Sequence, residues 1–349
     1  MLKQFVTDIS PTTGCLIKTE ILQPRFFPDL KSQRILTKYG PLSVPPSGSS
    51  HAMGHFNFPA PAPCTGCVVT QYTFNIEYAD GSYANANTGT YLHHAVFLNL
   101  GRQMPTCSAT DQPEFTFASG NERTVVSLSL NGTRKAGYSI QKTDIFYVTA
   151  ELMSDAAAAR DVIITVDWEF IPSVPSDFQH LKPLWLSADG PCLSLGGEIP
   201  VPANQTAFTV AMDPAWKSTV AGEVVVAQAH AHDGAEEVRT LRNGKVACTH
   251  KVRYGEKPGY VTPGDHSDHG GGGEGGGHHH GRRSLGRRDA DIPRVSSLST
   301  CTNLGRMEVG DLWSVQADYN IVKHKPMGGE GHLEPVMGIS LLYVAEDPK

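Results

Sequence analysis

Charge is scarce in this chain. Only 18% of its 349 residues are Asp, Glu, Lys or Arg, and the formal net charge is −6. Such a balance offers no basic surface to phosphates, so a nucleic-acid partner is not expected. Long amphipathic helical patterns are nearly absent, which argues against a helical class. No apolar run reaches the roughly 20 residues of a membrane-spanning helix, so no membrane span is expected. The first residues, MLKQFVTDISPTTGC, contain no hydrophobic signal core. No second CxxC accompanies Cys64-Thr-Gly-Cys67, and no βαβ pattern surrounds it, which argues against a zinc ribbon or a thioredoxin-like redox pair.

What is abundant is Gly (35) and Pro (24), punctuating short β-rich runs. CVVTQYTFNIEY, YLHHAVFLNLG, DVIITVDWEFIP, GEVVVAQAH, WSVQADYNIV and MGISLLYVA are examples. Many short strands between turn signals predict an all-β chain of antiparallel sandwiches. Its length suits two domains. The turn-rich stretch GGEIPVPAN marks the division, which predicts an N-terminal extension over 1–60, a first β-sandwich over 61–195 and a second over 196–349. Residues 263–292 are Gly- and His-rich and of low complexity, so they are read as a flexible insert in the second sandwich. Five histidines lie in that insert, but a flexible loop does not hold ligands in a fixed geometry. Its paired arginines are read as a solvated basic loop.

Seven cysteines and two sequons, Asn131-Gly-Thr and Asn204-Gln-Thr, fit an oxidising, secretory setting. The expectation is therefore a secreted glycoprotein whose presequence is absent from this chain. Seven is odd, so at least one thiol stays unpaired within the chain. One cysteine of the CxxC is expected in a structural disulfide.

Three places carry metal chemistry. In 223-EVVVAQAHAHDGAEEV-238, Val224, Val226, Gln228, His230 and His232 recur with period two and share one strand face. Two imidazoles on one face are a ready pair of metal ligands, although an isolated HxH is about as often a wetted strand end. In 91-YLHHAVFLNLG-101, His93 and His94 are adjacent, so they serve one metal only at a strand end or bulge. In 334-EPVMGISLLYVAE-346, Met337 opens the last strand. A lone Met there is ordinarily core, but a thioether beside two imidazoles suits copper cycling between its two oxidation states.

The order HH, then HxH, then Met over two β-rich halves resembles the copper type II, ascorbate-dependent monooxygenases, the peptidylglycine α-hydroxylating and dopamine β-monooxygenase group. That resemblance implies two packed sandwiches with one copper each across a cleft. His230, His232 and Met337 match the oxygen-activating site, and His93 and His94 match two of the three histidines of the electron-relay site. A likeness over most of the chain is to the stress-up-regulated Nod19 family, through YADGSYANANTGTYLHHAVFLN, HAHDGAEEVRTLRNGKVACTH, SLSTC and PVMGISLLYVAE. It brings a fold and a site but no substrate.

The pattern departs from the hydroxylases in three ways. Their third relay histidine falls on 166-VDW-168, which puts Asp167 there, with His51, His55 and His180 as other candidates. The arginine that anchors a peptide carboxylate two residues before the HxH is Gln228 here, and the polar positions after the Met are Ile339 and Leu341. A carboxylate buried without a cation is costly, so the expected substrate is a more apolar small molecule and peptide amidation is not expected. His324 and His332 precede Met337 closely enough to line the cleft, although Lys323 and Lys325 flank the first. The same comparison implies a Cys248–Cys301 disulfide, Cys107 paired with Cys64 or Cys67, and Cys15 with Cys192.

The reading is a copper-dependent monooxygenase or oxidase with one reactive copper, a second possible at His93/His94, O2 as co-substrate and an external reductant such as ascorbate. Because the relay site lacks its third histidine, activity is expected to survive His93→Ala better than His230→Ala. The competing readings are a non-catalytic copper-binding stress protein and a metal-free binding module on the same fold. The sequence sets no oligomeric state.

Overall fold

The computed structural model describes residues 16–47, 53–107, 112–190, 198–263, 291–327 and 333–347. Strands dominate it, and the only helices among the described residues are four single 3-10 turns. The chain is all-β, with its strands packed as sandwiches.

The largest sheet has ten strands. Its path runs Leu16–Leu22, Gln33–Val44, Arg160–Ile171, Cys67–Tyr78, Ala136–Ile140, Gln179–Ser187, Ile339–Glu346, Gly222–His230 and Cys301–Met307, with Val126–Ser127 beside Cys67–Tyr78. Met53–Pro59, Phe146–Ser154, Thr90–Gln103 and Pro113–Gly120 make a four-stranded sheet. A six-stranded sheet runs Ala207–Ala211, Leu312–Asn320, Ala235–Arg242, Lys245–Tyr254 and Val295–Leu298, with Trp216–Lys217 at its side. The residues predicted as an N-terminal extension thus supply strands to two sheets.

The two halves of the long sheet meet at one narrow seam. Gln179 and His180 pair in parallel with Ala136 and Gly137, the only parallel pairing among the described strands. Gly137 is required there, because a Cβ would lie 2.4 Å from the Val69 carbonyl oxygen.

The last strand shows why its sequence is a continuous apolar run. Ile339, Leu341, Tyr343 and Ala345 enter the first core, while Leu342 and Val344 enter the second. A strand covered on both faces has no polar side to present. The first core is aromatic, with Phe97 and Phe117 rings 5.3 and 5.0 Å from Trp168.

Two disulfides close among the described residues, Cys64–Cys67 and Cys248–Cys301. The first corrects the expected pairing of Cys107 with either CxxC cysteine: the two cysteines of the CxxC are consumed by each other. Cys107 is buried. Cys15 and Cys192 lie outside the described residues. Asn131 and Asn204, which open the sequons, are both exposed.

Candidate metal centre

His93 and His94 lie on Thr90–Gln103, a strand of the first sandwich's outer sheet. A register shift falls between Leu92 and His94 against the neighbouring strand Phe146–Ser154. That bulge overrides the alternation that would send adjacent side chains to opposite faces. Both histidines are buried, and their rings lie 4.8 Å apart. His230 ends the strand Gly222–His230, and His232 follows just beyond it.

The two pairs do not face each other across a solvent-filled gap. The His93 ring lies 4.2 Å from His232, His94 lies 6.0 Å from His230 and 6.4 Å from His232, and His230 lies 5.4 Å from His232. One ligand atom from each of His93, His94 and His232 falls within 4.8 Å of the others. The expectation of two sites across a cleft is therefore corrected: the four rings lie together, with His230 beside the group of three rather than in it. The bulge and the packing of the two sandwiches bring them together.

Three of the four rings, His93, His230 and His232, have a partner on one nitrogen. Glu334 Oε1 lies 2.7 Å from His93 Nε2, Glu122 Oε2 lies 3.1 Å from His230 Nδ1, and the Pro335 carbonyl accepts from His232 Nδ1 at 2.7 Å. Glu151 Oε2 approaches His94 Nε2 at 3.0 Å without hydrogen-bond alignment, and its Oε1 lies 3.1 Å from His55 Nδ1. The nitrogens left over, His93 Nδ1, both nitrogens of His94, His230 Nε2 and His232 Nε2, are buried without a hydrogen-bond partner. Buried polar atoms of a native fold are rarely left so, and a ring anchored on one nitrogen with the other idle is the arrangement of a metal-ligating histidine.

The electrostatics agree. Burial, reinforced by neighbouring histidines, pushes His93 and His232 well below the ordinary imidazole value, so both hold free lone pairs. Burial raises Glu334. It also opposes ionisation of Glu122, but the charge and hydrogen bond of His230 outweigh it and leave that carboxyl below its usual value. Burial opposes ionisation of Glu151 too, but the adjacent His55 and His94 imidazoles outweigh it and hold that carboxyl low.

Two cavities flank the rings. One is lined by His94, His230 and Met337. Its walls are largely apolar, with Val96, Ala118, Trp185, Ile339 and Leu341 among them. Gln228 also lines it, and its amide donates to Tyr72 Oη at 2.9 Å. No Lys or Arg is among the residues lining this cavity. The other is lined by His93, His230, His232 and Met327. Met337 is fully buried, and the Tyr319 hydroxyl hydrogen-bonds both its backbone N–H and its carbonyl.

Other expected site residues lie elsewhere. Asp167 is corrected as a third ligand: Arg34 clamps its carboxylate at 2.5 and 2.9 Å. His180 accepts from the Ser139 N–H at 3.1 Å, away from the four rings. His324 stacks on Tyr254 with ring centroids 3.8 Å apart, which takes it out of the cavity lining. His51 and His332 lie outside the described residues, as does the His-rich stretch 264–290. Sequence reasoning missed Glu122, Glu151, Glu334 and Met327. Glu334 stood in the quoted EPVMG stretch, three residues before Met337; the others had no local signal.

The donor set, imidazoles with a thioether at the cavity wall, fits copper. No family model matches the chain. Two fungal proteins do. "Probable copper-dependent oxygenase M1" of Phoma sp. is 30% identical over 310 residues, 88% of this chain and 72% of that protein. "Probable copper-dependent oxygenase clz3" of Cochliobolus lunatus is 30% identical over 274 residues, 78% of this chain and 77% of that one. Among solved structures, the glycosylasparaginase PNGase F of Flavobacterium meningosepticum overlays 91% of this chain and 97% of its own, at 9% identity and a TM-score of 0.36, too loosely to support an argument. The chain belongs to the family of the probable copper-dependent oxygenases represented by the two fungal proteins.

Proposed function

We propose that His93, His94, His230 and His232, with Met337, hold copper, and that the protein uses O2 there to oxidise a C–H bond of a relatively apolar small molecule. The observation that carries the reading is the set of buried, partnerless nitrogens on four rings of one cluster. Bound copper, reduced by an external donor such as ascorbate, supplies the activation of O2. The rest is the work of the chain. Glu334, Glu122 and the Pro335 carbonyl occupy one nitrogen on each of three rings and so fix which nitrogen is free. Val96, Trp185, Ile339 and Leu341 exclude water and lie against the substrate's apolar surface. With no cation in the lining, a carboxylate-bearing peptide is disfavoured. More idle ring nitrogens are present than one three- or four-coordinate ion requires beside Met337, so the cluster admits a second ion. The resemblance to the Nod19 family and to the copper type II monooxygenases supports the same ligand residues, while the separation of two sites that it implies is opposed by the short distances between the rings. The disulfides support a secretory location.

The test is metal analysis of untagged protein lacking residues 263–292, followed by oxygen uptake with ascorbate. Copper content should fall in His230→Ala and His232→Ala, with uptake falling in parallel. Unchanged copper in both variants refutes the assignment.

A further inference from the structure

A second cluster of soft and imidazole donors lies inside the second sandwich, away from the four-histidine centre. Cys248 and His250 share the strand Lys245–Tyr254 of the six-stranded sheet, and Cys301 opens the strand Cys301–Met307 at the edge of the long sheet. Their disulfide therefore ties the two sheets of this sandwich together. His250 is fully buried beside it. Its Nδ1 lies 2.8 Å from the Ser299 carbonyl, which only accepts, so Nδ1 carries the proton. Nε2 is then left with its lone pair, 3.2 Å from Cys248 Sγ and 3.2 Å from Thr240 Oγ1. A backbone carbonyl on one ring nitrogen, with the other aimed at sulfur, is how proteins orient an imidazole toward a metal.

We propose that Cys248, His250 and Cys301 form a latent metal site, closed as a disulfide when oxidised and able to hold a soft d10 cation, Zn(II) or Cu(I), when reduced. One atom from each of the three already lies within 4.8 Å of the others. Zinc–thiolate and zinc–imidazole bonds of about 2.3 and 2.0 Å require donor separations of about 3.5–3.8 Å, within reach of a small parting of the sulfurs. Thr240 Oγ1, itself 2.8 Å from Ser340 Oγ, is a neutral oxygen at hand for a further position. The chemistry balances. A phosphine and one water give the phosphine oxide and two thiols, and a divalent ion bound by both sulfurs then releases two protons. The junction between the sheets is kept in either redox state, by a covalent bond or by a metal bridge.

The experiment uses the full chain in a Cys64→Ser/Cys67→Ser background, so that the CxxC dithiol does not contribute. After phosphine reduction, Cd(II) is titrated and read by its thiolate charge-transfer absorbance, with Zn(II) and Cu(I) as competing arms. Near-UV circular dichroism reports whether the sandwich stays packed. The expected result is one Cd(II) equivalent beyond that taken up by a variant that also carries Cys248→Ser/Cys301→Ser. It should be absent from oxidised protein, weakened about tenfold or more in His250→Ala, and displaced by at least one of the two competing cations. His250→Ala keeps both thiols, so its free-thiol titre should be unchanged. No additional equivalent, unaltered affinity in His250→Ala, or Cd(II) binding only to a chain that has lost its near-UV signal would each overturn the proposal.

Discussion

Gly120→Ala tests whether His230 belongs to the metal centre without substituting any proposed ligand. Gly120 ends the strand Pro113–Gly120 and pairs with His94. A Cβ at Gly120 would stand 2.3 Å from both Cε1 and Nδ1 of His230, and 2.6 Å from Glu122 Oε2. Separations this short do not occur, and the strand is held in register by its neighbour. The imidazole and the carboxylate must therefore give way, by about 1 Å to regain ordinary contact, and that displacement breaks the 3.1 Å contact between Glu122 and His230. Overpacking of this kind costs roughly 1–3 kcal/mol of stability. Loss of a partner that orients a ligand costs about 10–100-fold in metal affinity. The variant should therefore fold, melt a few degrees lower, and bind copper about 10–100-fold more weakly in competition with a chromophoric chelator. Glu122→Gln, which adds no atom at Gly120, should reproduce part of the affinity loss with little change in melting. If Gly120→Ala folds and keeps wild-type copper affinity, His230 is not a ligand.

The all-β class was legible because strand periodicity is local. Val224, Val226, Gln228, His230 and His232 announce one face of a strand whatever it pairs with. Strand order was not legible, since alternation says which face is buried but not which neighbour covers it. Nothing in 179-QHLKPLWLS-187 signals that it joins the last strand to Ala136–Ile140 and so carries one sheet through both halves. The histidines were visible by residue type, and their union in one cluster was not. Adjacent His93 and His94 required a bulge, and the bulge is a property of the pairing with Phe146–Ser154. The carboxylates were invisible for a related reason. Glu122 is 108 residues from His230, and Glu334 is 241 from His93. Asp167 was misread because the resemblance supplied a position, whereas Arg34 on the neighbouring strand supplied its partner.

With all four rings in one cluster, His93→Ala should cost as much copper and oxygen uptake as His230→Ala, reversing the expectation from sequence. Retained activity in His93→Ala with full copper would show that its ring is dispensable. Met337→Ala should weaken Cu(I) more than Cu(II), because the soft ion gains most from sulfur; equal losses would remove Met337 from the ligand set. Glycine-extended peptides should not be hydroxylated, since Gln228, Ile339 and Leu341 provide no cation, and turnover at an ordinary monooxygenase rate would refute this. The last expectation concerns Glu114, which is buried and accepts from Tyr138 Oη at 2.6 Å. Burial raises its pKa to about 7, against the opposing hydrogen bond from Tyr138 and the charge of Arg102. An unfolded glutamate titrates near 4.3. Between about pH 4.3 and 7 the folded chain therefore binds more protons at this site than the unfolded chain, so its stability falls as pH rises through that window. A shift of this size corresponds to at most about 3.7 kcal/mol, not all of which falls between about pH 5 and about pH 8. Glu114→Gln keeps the shape and the acceptor oxygen but does not titrate. Denaturant melts of metal-free protein at about pH 5 and about pH 8 should show the wild type losing up to about 3 kcal/mol relative to the variant. Parallel curves for the two proteins would mean that Glu114 is ionised in the fold across the whole range, and that Arg102 outweighs its burial.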